Sequence, residues 1–237
     1  MIADLHHPYF YKKGFRVLLD IIKDINPDYY IDLGDNIDFD MISTYSNKKP
    51  KKTENKRILK TYQAYDKEIL QPLNEALSDS CKKIYIRGNH NHRVDRYVNY
   101  YPITEGIIEE EHNLDLSDWE VIEYNKPYIL GDTCFIHGHY HNRFHTKKHL
   151  DIYNMNVIYG HLHCNQSYTR ATPIEQQPLT AMSIGTMGTL NPEWLSDMPN
   201  SWQNQMLTFN LYGNRIYPCV STFKKDKIFI NGKLYSG

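Results

Sequence analysis

Short apolar segments that end in a cluster of polar residues are the feature that most constrains how this chain folds. Five segments end in this way, at residues 2–3, 30–33, 84–86, 134–136 and 157–159. Short apolar runs bounded by turn residues are typical of buried strands. In open α/β sheets, ligands bind beyond the carboxyl ends of the strands. We therefore expect the five polar clusters to meet in one place.

The polar clusters contain imidazoles, carboxylates and a side-chain amide, which form a mixed set of nitrogen and oxygen ligands. They read Asp4-Leu5-His6, Asp35-Asn36-Ile37-Asp38, Asn89-His90, His137-Gly138-His139 and His161-Leu162-His163. Such a set suits the divalent ions of Mn, Fe, Co, Ni and Zn. Because it exceeds what one tetrahedral zinc takes, it predicts two metal ions. An aspartate carboxylate can bridge two such ions, with one oxygen on each.

Helical and extended segments alternate in the first half of the chain, and extended segments dominate the second half. Residues 15–25 have apolar side chains at helical spacing, and strands are predicted at 29–33 and 83–86. Turn signals at 213–214 and 231–232 predict two hairpins near the end. No repeat or linker interrupts this pattern. We expect one α/β domain over residues 1–237, with its sheets covered by helices.

Composition excludes several classes of protein. The 237 residues include 27 basic and 28 acidic side chains, a net charge of −1, whereas dedicated duplex-DNA binders carry a basic excess. Four scattered cysteines without a CxxC pair favour a reducing compartment over a disulfide framework. No apolar run approaches the ~20 residues that span a bilayer. The N-terminal residues do not show the basic and then apolar pattern of a signal peptide. We expect a cytoplasmic protein without a membrane partner.

In their order and spacing, the five motifs resemble those of the calcineurin-like metallophosphoesterase superfamily. The resemblance runs from residue 4 to residue 163, over Asp4-x-His6, Gly34-Asp35-x-x-Asp38, Gly88-Asn89-His90, His137-Gly138 and Gly160-His161-x-His163. It implies a four-layer α-β-β-α sandwich of two mixed β-sheets flanked by helices. It also implies hydrolysis of phosphate esters with two divalent ions, Mn first among them and Fe, Zn, Ni or Co as alternatives.

The resemblance also implies a role for each motif residue. The first ion would be bound by Asp4, His6 and His163. The second ion would be bound by Asn89, His137 and His161, and Asp35 would bridge the two ions. A metal-bridging hydroxide would attack phosphorus while His90 protonates the leaving oxygen as general acid. Asp38 would lie behind His90 and orient it. No covalent enzyme intermediate is implied.

Two departures from the superfamily pattern are visible. Only three residues precede Asp4, so the first strand is short or begins before this sequence. Asn91 stands where many relatives have an acidic residue, which removes no ligand.

Three further residues are candidate substrate contacts. Arg93 and Arg96 directly follow Asn89-His90, and a guanidinium fork matches the geometry of phosphate. A solvated helix face is the alternative interpretation of both arginines. His139 continues the spacing after His137, although a solvated histidine is the more common case.

Residues 48–60 are rich in lysine and arginine, and Glu54 is their one acidic residue. This stretch is either an arm that attracts a polyanion or a solvated loop.

Three functions stay open at this point. They are hydrolysis of phosphomonoesters or phosphodiesters, a DNA or RNA nuclease of the same superfamily, and an inactive binding scaffold. The net charge speaks against the nuclease and the lysine-rich stretch speaks for it, while the intact ligand positions speak against the scaffold. A nucleotide or nucleic acid is therefore kept as an alternative substrate, and the oligomeric state stays open.

Overall fold

The computed structural model describes residues 1–44, 55–173, 177–195 and 198–237. The helices in these ranges are α1 (Lys12–Ile25), α2 (Ile58–Tyr65), α3 (Gln71–Ala76), α4 (His92–Tyr100), α5 (Glu110–Asn113) and α6 (His145–Tyr153). A π-helical turn, Asp66–Leu70, joins α2 to α3. Short 3-10 turns lie at Asp40–Ile42, Pro102–Thr104 and Glu193–Leu195. No helix in the described ranges is long and apolar enough to cross a membrane.

The described residues contain twelve strands, numbered in chain order. The first six are β1 (Tyr29–Asp32), β2 (Lys82–Ile86), β3 (Trp119–Ile122), β4 (Tyr128–Leu130), β5 (Thr133–Ile136) and β6 (Asn156–Tyr159). The last six are β7 (Gln166–Arg170), β8 (Leu179–Ser183), β9 (Gln205–Tyr212), β10 (Arg215–Thr222), β11 (Lys227–Ile230) and β12 (Lys233–Ser236). Hairpins β9–β10 and β11–β12 turn at residues 213–214 and 231–232, as predicted.

Two sheets carry the strands that precede the polar clusters. Strands β1, β2 and β3 form a parallel sheet. The second sheet has the order β4-β5-β6-β8-β7, with β5, β6 and β8 parallel and both edges antiparallel. Because β1 and β2 are parallel to each other, and β5 and β6 likewise, the loops after each pair leave the same sheet edge.

Three apolar clusters show what each sheet packs against. One contains Ile31 of β1 together with Phe135 of β5, so residues of both sheets share it. A second joins α1 to Tyr30, on the opposite side of β1. A third joins Leu150 of α6 to Cys134 of β5. The mixed α/β class is therefore confirmed, while the complete four-layer arrangement stays a prediction.

Residues 1–3 form no strand of their own, but main-chain hydrogen bonds hold them on both sides. The Ile2 N–H donates to the Ile31 carbonyl at 3.2 Å, and the Leu207 N–H donates to the Met1 carbonyl at 3.1 Å. The Asp4 N–H then donates to the Gly34 carbonyl at 3.0 Å. The short lead is thus anchored between β1 and β9, which brings Asp4 beside the loop that follows β1.

All four cysteines are free, in agreement with the prediction from their spacing. The basic residues 48–52 lie outside the described residues. Of the neighbouring basic residues, Lys56 contacts the Asp40 carboxylate and the Tyr9 hydroxyl. Arg57 and Lys60 are exposed at the start of α2.

Candidate metal centre

The loops after β1, β2, β5 and β6, together with the turn at Asp4, bring the seven predicted ligand residues together. Asp4, His6 and His163 form one group, and Asp35, His137 and His161 form another. Within each group, the atoms able to ligate lie within 4.8 Å of one another. The Asn89 Oδ1 lies 3.0 Å from the His137 Nε2 and so adjoins the second group. The predicted convergence of distant motifs is confirmed.

The first group surrounds a carboxylate oxygen that has no hydrogen bond. The Asp4 Oδ2 accepts the His161 N–H at 2.8 Å, which turns the Oδ1 toward the histidines. This Oδ1 lies 3.3 Å from the His163 Nε2 and 3.8 Å from the His6 Nε2. It is buried and has no hydrogen-bond partner among the described residues. An unpaired buried carboxylate oxygen is costly, and a bound cation relieves that cost.

The second group gathers acceptor atoms around the His137 Nε2. The His137 Nδ1 donates to the Leu33 carbonyl at 2.8 Å, which leaves the Nε2 directed inward. That nitrogen lies 3.2 Å from the Asp35 Oδ2. Metal-binding histidines commonly donate their second ring N–H to a carbonyl or carboxylate in this way. The geometry of His137 therefore fits a ligand role.

Asp35 lies between the two groups, but its two oxygens have different partners. Its Oδ1 accepts the His90 N–H at 2.8 Å. Its Oδ2 lies 3.2 Å from the His137 Nε2 and 4.0 Å from the His6 Nε2. The Oδ2 is therefore the oxygen that faces histidines of both groups, while the expected bridge with one oxygen on each ion stays a prediction.

Five of the seven predicted ligands have a left-handed backbone, which side chains other than glycine rarely adopt. Their φ angles are 54° for Asp4, 53° for His6, 55° for Asp35, 72° for His161 and 59° for His163. Each such residue costs on the order of 1–3 kcal/mol, and such residues concentrate at functional sites. This concentration points to a site selected for its geometry rather than for stability.

Two glycines allow the carboxylates to approach the neighbouring backbone. A Cβ at Gly88 would lie 2.1 Å from the Asp35 Oδ1, and one at Gly160 would lie 2.5 Å from the Asp4 Oδ2. Both carboxylates would have to move, and each would lose the main-chain N–H that it accepts. Glycine at these two positions is therefore required by close packing.

Replacing Gly160 with alanine is expected to weaken metal binding in the first group more than in the second, because the new methyl group displaces the Asp4 carboxylate. Metal content after dialysis, measured by mass spectrometry, should fall from two ions per chain toward one. Gly106→Ala is the control, since no atom lies within 4 Å of a Cβ there and its left-handed φ of 74° costs stability without displacing a carboxylate. Two retained ions in Gly160→Ala would contradict the assignment.

Burial and charge set opposite protonation states within the centre. Burial raises the pKa of Asp35, but His137 and His90 outweigh it and hold that pKa well below its usual range. Burial lowers the pKa of His137, yet Asp35 raises it overall to about 9. Burial, assisted by His137, lowers the pKa of His161 to about 4. A divalent cation binds an ionised carboxylate and a neutral imidazole, so His161 is ready to bind whereas His137 would release a proton when a cation binds.

His90 contacts Asp38 through the main chain rather than through the carboxylate. Its Nδ1 lies 2.8 Å from the Asp38 carbonyl oxygen and 3.8 Å from the Asp38 Oδ1. The Arg93 Nη2 lies 2.8 Å from the His90 Nε2. Because a guanidinium only donates, the Nε2 is the acceptor and the imidazole is neutral here. Burial lowers the pKa of His90 to about 3, although Asp35 opposes this shift.

His6, Asp38 and His90 form a third set of atoms close enough to hold an ion. The His6 Nδ1 lies 3.5 Å from the Asp38 Oδ2, while the His6 Nε2 faces Asp4 and His163. The Arg93 guanidinium contacts both Asp38 and His90, so a cation there would be repelled. Two ions, rather than three, fit the described residues.

A buried ion network that the motifs did not reveal holds the Asn89-His90 loop. The Gly88 N–H donates to the Asn91 Oδ1 at 2.8 Å, and the Asn91 Nδ2 donates to the Glu110 Oε1 at 2.7 Å. The Glu110 Oε2 accepts from the Arg87 Nε at 3.0 Å. The loop is thus held by Glu110, which lies 19 residues from Asn91 in the sequence. No local signal predicted it.

Glu110→Gln is expected to lower the free energy of unfolding by roughly 3 kcal/mol, because it breaks a buried ion pair. The new side-chain N–H₂ would also point at groups that donate hydrogen bonds to the Glu110 carboxylate. Urea denaturation measures this change. Glu123→Gln is the matched control, because Glu123 pairs with the same arginine but is 62% exposed against 4% for Glu110. We expect an effect within ~1 kcal/mol for the control. Equal losses in both variants would contradict the role of burial.

Residues beyond the last motif also support the first group. The Thr186 Oγ1 donates to the Asp4 carbonyl at 2.6 Å, and the Gln203 N–H donates to the His163 carbonyl at 2.9 Å. The Trp202 ring lies against His163, with centroids 4.3 Å apart. Sequence reasoning missed these residues, because neither spacing nor residue type marks them.

The three predicted substrate contacts have different positions. Arg93 reaches the centre through Asp38 and His90, whereas Arg96 is exposed on the next turn of α4. The His139 Nε2 instead makes a 2.7 Å hydrogen bond with the Tyr153 hydroxyl, and its ring stacks on Tyr153. His139 is therefore engaged with α6, which favours a packing role over substrate contact.

A mixed α/β fold with two adjacent His/Asp groups defines a class of protein with a candidate dinuclear metal site. Comparison with known families matches residues 1–165 of the 237-residue chain to the calcineurin-like phosphoesterases. The chain therefore belongs to the calcineurin-like phosphoesterase family. A search of curated proteins found no match.

Proposed function

We propose that this protein hydrolyses phosphate esters, either monoesters or diesters, with two divalent metal ions. The observation that carries the proposal is the buried Asp4 Oδ1, which is unpaired among the described residues and faces the His6 and His163 rings. Membership of the phosphoesterase family supports the same chemistry. A cation is the partner that this carboxylate lacks.

The proposed ligands form one set for each metal ion. Asp4, His6 and His163 would hold one ion, Asn89, His137 and His161 the other, and the Asp35 Oδ2 would serve both. Bound ions of this kind lower the pKa of water and neutralise the charge on phosphate oxygens. The donor set suits Mn, Fe, Zn, Ni and Co, and we propose Mn as the working ion.

His90 is proposed as the general acid and Arg93 as a phosphate contact. His90 must first gain a proton, because its imidazole is neutral beside the guanidinium. A substrate phosphate would draw Arg93 toward itself and bring negative charge near His90, and both changes raise the pKa of His90. The Asp38 carbonyl holds the Nδ1 and thereby directs the Nε2 at the leaving oxygen.

Two other functions differ from this proposal. An inactive scaffold needs neither ionised carboxylates nor five left-handed residues at one site, so the geometry disfavours it. A nuclease uses the same chemistry on a longer substrate. A cytoplasmic location and a single domain over residues 1–237 stay part of this proposal.

The test strips the protein of metal and adds Mn, Fe, Zn, Ni or Co separately. The substrates are p-nitrophenyl phosphate, bis-p-nitrophenyl phosphate, cyclic nucleotides and labelled oligonucleotides. We expect no turnover without metal and restored turnover with two ions per chain, Mn giving the most. Turnover that survives chelation, or none with any ion on any ester, would contradict the proposal.

A further inference from the structure

Helix α4 begins at the candidate metal centre and extends away from it with a basic and aromatic stripe. Arg93, Arg96 and Tyr100 define this stripe, since residues three and four apart lie on one face of a helix. Arg93 contacts His90, Arg96 is exposed, and Tyr100 is 73% exposed. At 1.5 Å per residue, the stripe extends roughly 10 Å beyond Arg93. It is longer than a small phosphate ester needs.

The stripe is positively charged although the whole chain carries a net charge of −1. The acidic residue of α4, Asp95, lies on another face, where it pairs with Arg87 at 2.7 Å and His92 at 2.9 Å. No ion pair of Arg96 is found among the described residues. An exposed guanidinium without a carboxylate partner is suited to bind a phosphate group.

The outer end of the stripe is aromatic. Beside Tyr100, the Tyr101 side chain is 54% exposed, and its ring contacts Tyr97 with centroids 4.7 Å apart. Exposed aromatic rings next to arginines are the surface on which unpaired bases stack while the backbone phosphates are neutralised. A duplex offers no such base faces, because its bases are already stacked on one another.

A second basic segment borders the same region. Helix α4 packs against the turn Asp40–Ile42, and the Asp40 carboxylate binds Lys56. The exposed side chains of Arg57 and Lys60 follow at the start of α2. Exposed basic side chains therefore lie within four residues of a lysine that binds this turn.

We propose that this stripe binds single-stranded polynucleotide, with a phosphate on Arg96 and an unpaired base on Tyr100. The inference rests on the proposed function, since it names the substrate class of the same centre. The scissile phosphate lies at Arg93 and His90, and the strand extends along α4 toward Tyr100. Small esters then use only the inner end of the stripe.

Binding is measured on the metal-free protein, so that it does not depend on turnover. The probes are a fluorescein-labelled twelve-nucleotide oligothymidylate and an abasic strand of equal length. We expect the oligothymidylate to bind at least about fivefold more tightly than the abasic strand. Tyr100→Ala should remove this preference, whereas Tyr100→Phe should keep it. Tyr212→Ala is the matched control, because Tyr212 is 81% exposed on the β9–β10 hairpin.

Arg96→Gln should weaken the binding of both probes alike and lower the salt dependence by about 0.7 per lost phosphate contact. Arg215→Gln, an exposed arginine at the start of β10, is its control. Equal affinity for the two probes, equal effects of Tyr100→Ala and Tyr212→Ala, or no binding would overturn the inference.

Hydrolysis of bis-p-nitrophenyl phosphate, assayed separately with Mn, distinguishes the two proposals. Turnover of this ester without oligonucleotide binding would keep the proposed function and overturn the stripe. The expected binding pattern without turnover of any ester would support the stripe and overturn the proposed function.

Discussion

Replacing Asp35 with asparagine should remove both metal ions and with them all turnover. The Oδ2 of Asp35 lies between the two histidine groups. Its negative charge would offset the repulsion between two bound cations. A neutral amide cannot bridge two cations in this way. We expect the affinity for each ion to fall by more than roughly 100-fold. Titration calorimetry with Mn and metal analysis after dialysis measure the loss.

Asp32→Asn is the matched control for this variant. Asp32 is also a buried carboxylate in the same segment, but its Oδ1 accepts the Gly34 N–H at 3.1 Å and does not face the histidines. Asparagine retains an acceptor oxygen there, so this variant should bind two ions. Two ions at full occupancy in Asp35→Asn would refute the bridge.

Replacing His90 with asparagine is expected to keep both ions and lower kcat/KM by about 10²–10⁴ on alkyl phosphate esters. The loss should be smaller on p-nitrophenyl esters, because p-nitrophenolate leaves without a proton. Steady-state kinetics on a series of esters with increasing leaving-group pKa measures this dependence. The slope of log(kcat/KM) against that pKa should become steeper in the variant.

His92→Asn controls for the loss of an imidazole near the centre. The His92 Nδ1 hydrogen bonds with the Asp95 carboxylate, and its ring stacks on Tyr124, so it does not contact Asp35 or Asp38. We expect near-normal kinetics and a normal slope. An unchanged slope in His90→Asn would show that His90 is not the acid.

Short-range pattern was enough to predict helix α1, the strands β1 and β2 and the two hairpins near the end of the chain. The apolar spacing of residues 15–25 falls within α1, and the predicted strands at 29–33 and 83–86 overlap β1 and β2. The π-helical turn Asp66–Leu70 was not predicted. A helical pattern of apolar residues does not separate α from π geometry, because packing decides between them.

The candidate site could be predicted because its residue types are rare together and its loops follow strands. What each atom does was beyond prediction. His139 has the same motif spacing as a ligand, yet its Nε2 bonds to Tyr153. The Asp35 Oδ1 is held by a main-chain N–H, which no side-chain pattern encodes.

The sequence by itself determined the α/β class and indicated seven residues that could bind metal ions, because these depend on residue type and local order. Only the tertiary structure decided which carboxylate oxygen faces which imidazole and what supports the loops. Glu110 holds the Asn91 side chain, and Thr186 holds the Asp4 carbonyl, from 19 and 182 residues away. Such contacts arise when separate segments pack into one core, and spacing along the chain carries no record of them.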